Sequence, residues 1–445
     1  MPSTNKSSLY LGRTSTYQWW MVFVLMLVTL VSFIDRQIIS LVIEPMKSDL
    51  NLTDSQAGLL YSGFALFYAI AGIPLAWLID LGNRKHILSV CLTLWTFFTM
   101  AGGVLHTFWW IFAARVGVGI GEASVTPAAH SIIGDIVPKI TLPLAIAIFQ
   151  SGAIVGTGLA FIFGGLVVSM VRHAEPVYIP LFGFIHAWQL SFFIVAAPGF
   201  LVLLLLQTIR EPKRTGLDDT SQKIRSKGAL RKFYRANWKT ILTHHTGFAC
   251  FVLMGHAFVF WTPSFFERAH GVPAETAAIT YGLIFIIAGT IATLSSAKLA
   301  QNLLFKGSND SLILIAIFGA LGLILSIAFI PFANNSFTAF VLYIPAIFFL
   351  NVPFGLSFAA LPLIAPAELR GRVAAIYMLT ISAGTALGPP ITGYLSDHIF
   401  ITNDGLIHAL RLVTGVFGLA GISILLFGKK HFAESIDKGH HLNHE

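Results

Sequence analysis

A chain of 445 residues that is 56% hydrophobic and only 11% charged has too few polar groups to cover a folded surface in water; soluble domains carry about 25% charged residues. With a mean hydropathy of +0.78, it is neither a soluble enzyme nor a nucleic-acid reader nor a disordered scaffold, and its solvent is a bilayer. The net charge of +8 is therefore a question of where the cations sit, and the two cysteines, Cys91 and Cys250, both in apolar runs, give neither a disulfide framework nor metal-ligand spacing.

A helix crossing about 30 Å of hydrocarbon needs about 20 mostly apolar residues. In chain order, twelve runs qualify: Trp19–Ile43, Ser55–Ile79, His86–Leu105, Phe108–Ile133, Leu142–Val171, Ala187–Ile209, Trp238–Phe266, Ala277–Gln301, Ser311–Pro331, Phe337–Ile364, Val373–Ser396 and Gly405–Phe427. The expected organisation is a cytoplasmic tail over 1–18, a six-helix bundle over 19–209, a cytoplasmic linker over 210–237, a second six-helix bundle over 238–428 and a tail over 429–445. The first run is too long for a cleaved signal peptide, and Asp35-Arg36 charges it.

Lys and Arg are excluded from translocated loops, so their distribution orients the chain. With the N-terminus inside, 22 of the 28 fall on the cytoplasmic side and three, Lys47, Arg172 and Arg268, on the other; Arg36, Arg115 and Arg411 lie within spans. Both termini are expected in the cytoplasm, and the basic balance reports topology. The linker carries a short amphipathic stretch, Leu230–Trp238, that suits the inner membrane surface or a solvated connection.

Two six-span halves predict internal similarity. At an offset of 228 residues, Ala147, Ile148, Gly156, Thr157, Leu159 and Gly165 of the fifth span match Ala375, Ile376, Gly384, Thr385, Leu387 and Gly393 of the eleventh. Glycines four apart, Gly152/Gly156 and Gly384/Gly388, allow close helix approach. They are expected to pack these spans against neighbours in the opposite half.

Between spans two and three stands Asp80-Leu81-Gly82-Asn83-Arg84-Lys85. This resembles the Asp-Arg-x-Gly-Arg-Arg motif of the major facilitator superfamily, departing from it at Leu81 and Asn83. Three further stretches, with the Asn-Arg-Lys ending, are similar to the Spinster branch of lysolipid and sphingolipid transporters, bacterial type. They are Ile34-Asp35-Arg36-Gln37-Ile38-Ile39-Ser40 leading into Glu44-Pro45-Met46-Lys47, Arg115-x-Gly-x-Gly119-x-Gly121-Glu122-Ala123, and Arg370-Gly-Arg372 leading to Ser396-Asp397. The resemblance implies an all-α membrane protein of twelve helices in two pseudo-symmetric bundles, working by alternating access. It also makes Asp80, Asn83, Arg84 and Lys85 a gate motif.

Ionisable groups inside spans cost about 2.5–3.5 kcal/mol or more near the bilayer centre, and they mark pathways or partners. Asp35, Arg36, Arg115 and Glu122 are all in spans one and four. At 1.5 Å and 100° per residue, Arg115 sits about 10 Å outside Glu122 on nearly the same face. Asp35 falls between them in depth. Two carboxylates, Asp35 and Glu122, are the candidates for proton coupling. Two planar guanidiniums, Arg36 and Arg115, are the candidates for an anionic headgroup. The alternative is a pair of static ion pairs locking the two helices. His130, about 12 Å further inward, is a candidate proton relay and otherwise an ordinary interior histidine.

The second half is rich in aromatics; Phe258, Tyr281, Tyr343 and Phe354 are the candidates to line an apolar cavity. The expected function is a proton-coupled secondary transporter of an amphipathic, anionic lipid, such as a lysophospholipid or a sphingoid phosphate. Small organic anions, or drugs in efflux, are the alternative cargo. No nucleophile–base pair or ATP-binding glycine loop is evident, so the chain is not expected to be an enzyme. It is expected as a monomer with no nucleic-acid partner, no metal and no cofactor, driven by a proton gradient.

Overall fold

The computed structural model describes residues 15–138, 141–171, 174–180, 182–214, 228–366, 369–402 and 404–442. The tail up to residue 14, the linker from 215 to 227 and the last three residues lie outside them, as does Arg172. Among the described residues the helices are α1 (Thr16–Leu50), α2 (Asp54–Leu81), α3 (Arg84–Gly102), α4 (Phe108–Glu122), α5 (Val125–Ile136), α6 (Leu142–Val171) and α7 (Ala187–Gln207). After the linker come α8 (Ala229–Ala236), α9 (Trp238–His270), α10 (Ala274–Phe305), α11 (Ser311–Phe329), α12 (Ser336–Ile364), α13 (Arg370–His398) and α14 (Gly405–Leu442). A small antiparallel hairpin, β1 (Val177–Ile179) with β2 (Gly183–Ile185), precedes α7, with Val177 opposite Ile185.

Ten of these helices are long and apolar enough to cross a bilayer on their own. The third expected span corresponds to α3, and the fourth to the pair α4–α5. That fourth span is expected as one continuous helix over Phe108–Ile133, and the structure corrects this: it breaks at Ala123–Ser124. Pro127 is the physical cause, because it has no N–H for the carbonyl four residues earlier and its ring crowds that turn. Ser124 caps the break by donating its hydroxyl to the Gly121 carbonyl at 3.0 Å. Ala123 and Ser124 keep helical backbone angles, so the ladder of hydrogen bonds is interrupted without unwinding; such a gap at membrane depth is tolerated when protein surrounds it, and Glu122 through Val125 are all buried. At the other end of the chain, α14 continues helical to Leu442 where a tail from 429 is expected.

Contacts divide the chain into two units. One comprises the chain through Pro45 together with Phe67–Leu217; the other comprises Met46–Leu66 together with the chain from Asp218 onward. The second thus claims the first turns of α2, which the expected boundaries put in the first bundle. Within the first unit, α6 crosses α1 closely: a Cβ on Gly152 would lie 3.1 Å from Met26 Cγ, and one on Gly156 3.3 Å from Phe33 Cβ. Within the second, α13 crosses α9 so that a Cβ on Gly388 would strike the Leu253 carbonyl oxygen. The four glycines therefore pack each fifth helix against the first helix of its own half. This corrects the expectation of cross-half packing, because small residues permit close approach without naming the neighbour.

Candidate functional site

The first unit buries two ion pairs between α1 and α4. Arg115 Nη1 donates to Asp35 Oδ1 at 3.1 Å, and the Thr99 hydroxyl of α3 donates to the other oxygen, Asp35 Oδ2. Two turns further along α4, Arg36 Nε donates to Glu122 Oε2 at 2.7 Å and the Ser32 hydroxyl donates to the same oxygen at 2.6 Å. Glu122 has no exposed surface at all (0%), and among the described residues its Oε1 has no hydrogen-bond partner. Removing such charges from water costs several kcal/mol each, repaid only by close partners. That cost explains why each acid has a guanidinium and a hydroxyl.

Arg36 is the accessible member of the group. Its guanidinium lies 4.6 Å from the ring centre of Phe33 and 4.7 Å from that of Tyr68. Aromatic faces hold a cation by their quadrupole while leaving the guanidinium edge open to hydrogen bonding. Asp35 and Arg115 are buried with little access. The four residues singled out from sequence thus stand together as two linked pairs, Arg36–Glu122 the more open one.

The helix break shapes this group. Gly117 and Gly121 of α4 meet Phe98 and Trp95 of α3, so α4 lies close against α3, which carries Thr99. Glu122 is the last residue of α4. His130, in α5, is exposed, its ring lies 5.4 Å edge-on to Phe149, and no hydrogen bond among the described residues joins it to Glu122. The break between α4 and α5 interrupts the regular helical offset on which the relay was argued.

At the other end of the unit, Arg84 is fully buried at the start of α3. Its Nε donates to Glu211 Oε1 at 2.7 Å, Nη1 to Ser131 Oγ at 3.1 Å and to Asp135, and Nη2 to the Pro212 carbonyl at 2.6 Å. Lys85 N donates to Glu211 Oε2 at 2.8 Å, and Lys85 Nζ to the Gln207 carbonyl at 2.9 Å. Asn83 caps α3, accepting from His86 N at 2.8 Å. The Asp80 carboxylate takes no part in this clamp; the Asp80 carbonyl instead accepts from Arg214, whose guanidinium also reaches the Gly82 carbonyl at 2.8 Å. A cation over the free carbonyls at a helix C-terminus is favoured by the helix dipole. Residues 210–214 therefore strap the end of α2 and the start of α3, and Arg84 ties α5 to them through Ser131 and Asp135.

In the second unit the expected cavity aromatics are placed otherwise. Phe258 and Tyr343 stack at 5.0 Å and Tyr281 meets Tyr343 edge-on at 6.3 Å, all three fully buried. They fill packed core, while Phe354 is 50% exposed beside Phe358. This corrects the cavity assignment: burying large apolar area is reason enough for aromatics to cluster. At the start of α2, Asp54 is bound by Arg268 of α9 and by Lys47. Asp397 of α13 accepts from the backbone N–H groups of Asp54 at 3.0 Å and Ser55 at 2.7 Å. Tyr61 Oη lies 2.8 Å from His256 Nδ1.

Sequence reasoning missed Ser32, Thr99, Tyr68, Glu211 and Arg214. Ser32 alone carried a usable signal, standing four residues before Arg36 on one helix face.

Comparison with known proteins follows the same lines. The family model for the Major Facilitator Superfamily matches residues 25–365. Protein spinster of Drosophila melanogaster is 25% identical over 94% of this chain and 70% of its own length. An MFS-type efflux pump of Mycolicibacterium smegmatis is 27% identical over 91% of this chain and 90% of the pump. A crystal structure of a bacterial homolog of the human lysosomal transporter Spinster, inward-facing and unoccupied, superimposes with a TM-score of 0.75 at 26% identity, covering 96% of this chain and 98% of that one.

Proposed function

This chain belongs to the Major Facilitator Superfamily, a multi-pass membrane transporter similar to the Spinster branch, and from that premise we propose that it moves an amphipathic, anionic lipid by proton-coupled alternating access. The observation that carries this reading is the Arg36–Glu122 pair. It joins a fully buried carboxylate with one oxygen lacking a donor to the most accessible guanidinium of the group. An anionic headgroup docking on Arg36 competes for the bond to Glu122 Oε2. The carboxylate so released is buried and uncompensated, and taking up a proton relieves it. Loss of the proton restores the pair and expels the headgroup. Asp35, held by Arg115 and Thr99, is the second carboxylate of the path.

An amphipathic cargo is supported by where charge is absent. Among the described residues, the ion pairs of the second unit, such as Asp54–Arg268 and Asp310–Lys429, stand at helix ends. Charge kept to helix ends leaves the length of these helices apolar, as contact with an acyl tail requires. The chain works as a monomer with both termini in the cytoplasm, in a bacterial inner membrane, and the proton gradient supplies its energy in place of a cofactor.

A second reading, export of drugs or small organic anions, is favoured by the near full-length similarity to the mycobacterial efflux pump. One experiment separates the two and tests the coupling. Purified protein is screened for thermal stabilisation by lysolipids and by small carboxylates. Any stabilising compound is then driven across proteoliposomes while internal pH is followed. Stabilisation by lysolipids and a pH change abolished in Glu122→Gln support the lipid reading. Stabilisation by small anions alone replaces it, and undiminished pH change in Glu122→Gln removes the coupling role.

A further inference from the structure

Where the linker re-enters the second unit, the chain builds a surface outside the groups described above. Gly228 adopts a left-handed conformation (φ +101°) and starts α8, whose Phe233 is buried against the body of the unit. Asn237 ends the helix and accepts a hydrogen bond from Ser435 of α14 at 3.2 Å. Phe233 thus anchors α8 to the protein, with Leu230 and Tyr234 half-buried beside it. Its outer face carries Arg231, Lys232 and Arg235, all exposed, and the row continues to the exposed Lys239. Within α8, Arg235 stands four residues after Arg231 and three after Lys232, which groups these three on one side of the helix; Lys239 follows the end of α8 at Asn237, in the first turn of α9. Among the described residues none of the four is in an ion pair.

What lies next to this row identifies its partner. Trp238 opens the membrane helix α9 and is 56% exposed, with Lys239 Nζ 5.8 Å from its ring centre. Leu242, one turn on, is 53% exposed. Exposed Trp marks the interface between headgroups and hydrocarbon, and exposed Leu beyond it faces lipid tails. The cations therefore stand at headgroup level, directly over a stripe that lipid tails cover.

We propose that Arg231, Lys232, Arg235 and Lys239 bind the phosphate of an anionic phospholipid whose acyl chains lie along Trp238 and Leu242. A soluble acidic protein would satisfy the charges, yet it would leave the adjoining Trp238–Leu242 stripe without a function in recognition. A zwitterionic lipid would satisfy the stripe and leave four cations uncompensated. An anionic lipid does both, and attraction to such lipids is worth about 1 kcal/mol per Lys or Arg at the surface, on the order of fivefold in affinity each. This inference uses the bilayer placement of α9 and is independent of proton coupling.

The test uses the full chain in phosphatidylcholine nanodiscs with and without phosphatidylglycerol. Phosphatidylglycerol is expected to raise the thermal midpoint of the wild type. The combined variant Arg231→Gln, Lys232→Gln, Arg235→Gln is expected to match the wild type in pure phosphatidylcholine and to lose the increment. An increment retained by the variant overturns the proposal. So does an equal increment from soluble glycerol phosphate or polyglutamate, which would need no bilayer. Should the variant be unstable in phosphatidylcholine, quenching of the wild type by brominated lipids decides, with Trp238→Phe giving the Trp238 share. Several-fold stronger quenching by brominated phosphatidylglycerol than by brominated phosphatidylcholine supports the site, and equal quenching overturns it.

Discussion

Arg268 of α9 holds the Asp54 carboxylate at the start of α2 with both terminal nitrogens, each 2.7 Å from a carboxylate oxygen. A two-pronged guanidinium–carboxylate contact combines charge and geometry, and the acid is nearly buried. Arg268→Gln is expected to cost about 2 kcal/mol, less than the full loss of a buried pair because Lys47 remains. A double-variant cycle with Asp54→Asn, read by thermal denaturation in detergent, should give a coupling well above experimental scatter. Strictly additive losses would contradict a direct interaction.

The two buried acids of the first unit should respond differently to neutralisation. Asp35→Asn leaves Arg115 buried with its charge unbalanced and is expected to cost about 3–5 kcal/mol. Glu122→Gln leaves Arg36 against the faces of Phe33 and Tyr68, with some access to solvent, and is expected to cost only about 1–2 kcal/mol. The ranking is read from the thermal midpoints of the two variants. Equal losses would show that Arg36 depends on Glu122 as fully as Arg115 depends on Asp35.

The strap of residues 210–214 predicts a dependence that the sequence motif alone does not. Arg84 is fully buried and shared between Asp135 and Glu211. Glu211→Gln weakens one charged contact and the Lys85 backbone contact together, for an expected loss of about 1–3 kcal/mol. Arg214→Gln removes a cation from the carbonyls ending α2, an effect of about 1 kcal/mol that shrinks with salt. Limited proteolysis of the linker should quicken in both variants. An unchanged cleavage rate in both would mean that the strap does not hold the linker.

Asp310, in the turn before α11, supplies a pH test outside the membrane. Burial pushes its carboxyl up, but the contacts from Lys429 Nζ at 3.0 Å and Ser308 Oγ at 2.9 Å outweigh this and hold it below its ordinary value. A carboxyl lowered on folding adds stability above its unfolded pKa, about 3.9, and that contribution disappears as pH falls through the folded value. Lys429→Met should therefore melt below the wild type at pH 6, and the gap should close on acidification past about pH 4. A gap constant down to pH 3 would place the effect of Lys429 elsewhere.

The spans were legible because hydropathy over twenty residues has few rivals as a signal, and the four charges were legible because charge is so rare in those spans. Neutral partners were not. Serine, threonine and tyrosine are common in membrane helices, so nothing set Thr99 or Tyr68 apart until the neighbouring helix was in place, and Ser32 had only its place four residues before Arg36. The break at Ala123–Ser124 had its cause in plain view in Pro127, but a hydropathy window averages across a missing hydrogen bond. The aromatics were misread for a related reason: Phe258, Tyr281 and Tyr343 look the same in sequence whether they line space or fill it. The glycines declared that something approaches closely, and only the fold says that it is α1 for one pair and α9 for the other. Glu211 and Arg214 sit in a polar stretch where acids and cations pass for solvated surface.

The turn that interrupts the fourth span makes two short rods of one long one, about 22 Å and 18 Å from their 15 and 12 residues. The joint between them has no continuous ladder of backbone hydrogen bonds to resist bending, so angular movement concentrates there. Arg115, two turns up the first rod, is braced by α1 and α3 on its own side of the joint. Asp135, near the far end of the second rod, is bolted to Arg84. Glu122 is the last residue of the first rod and stands directly at the joint. The fourth span is thus weakest against bending right beside its buried acid.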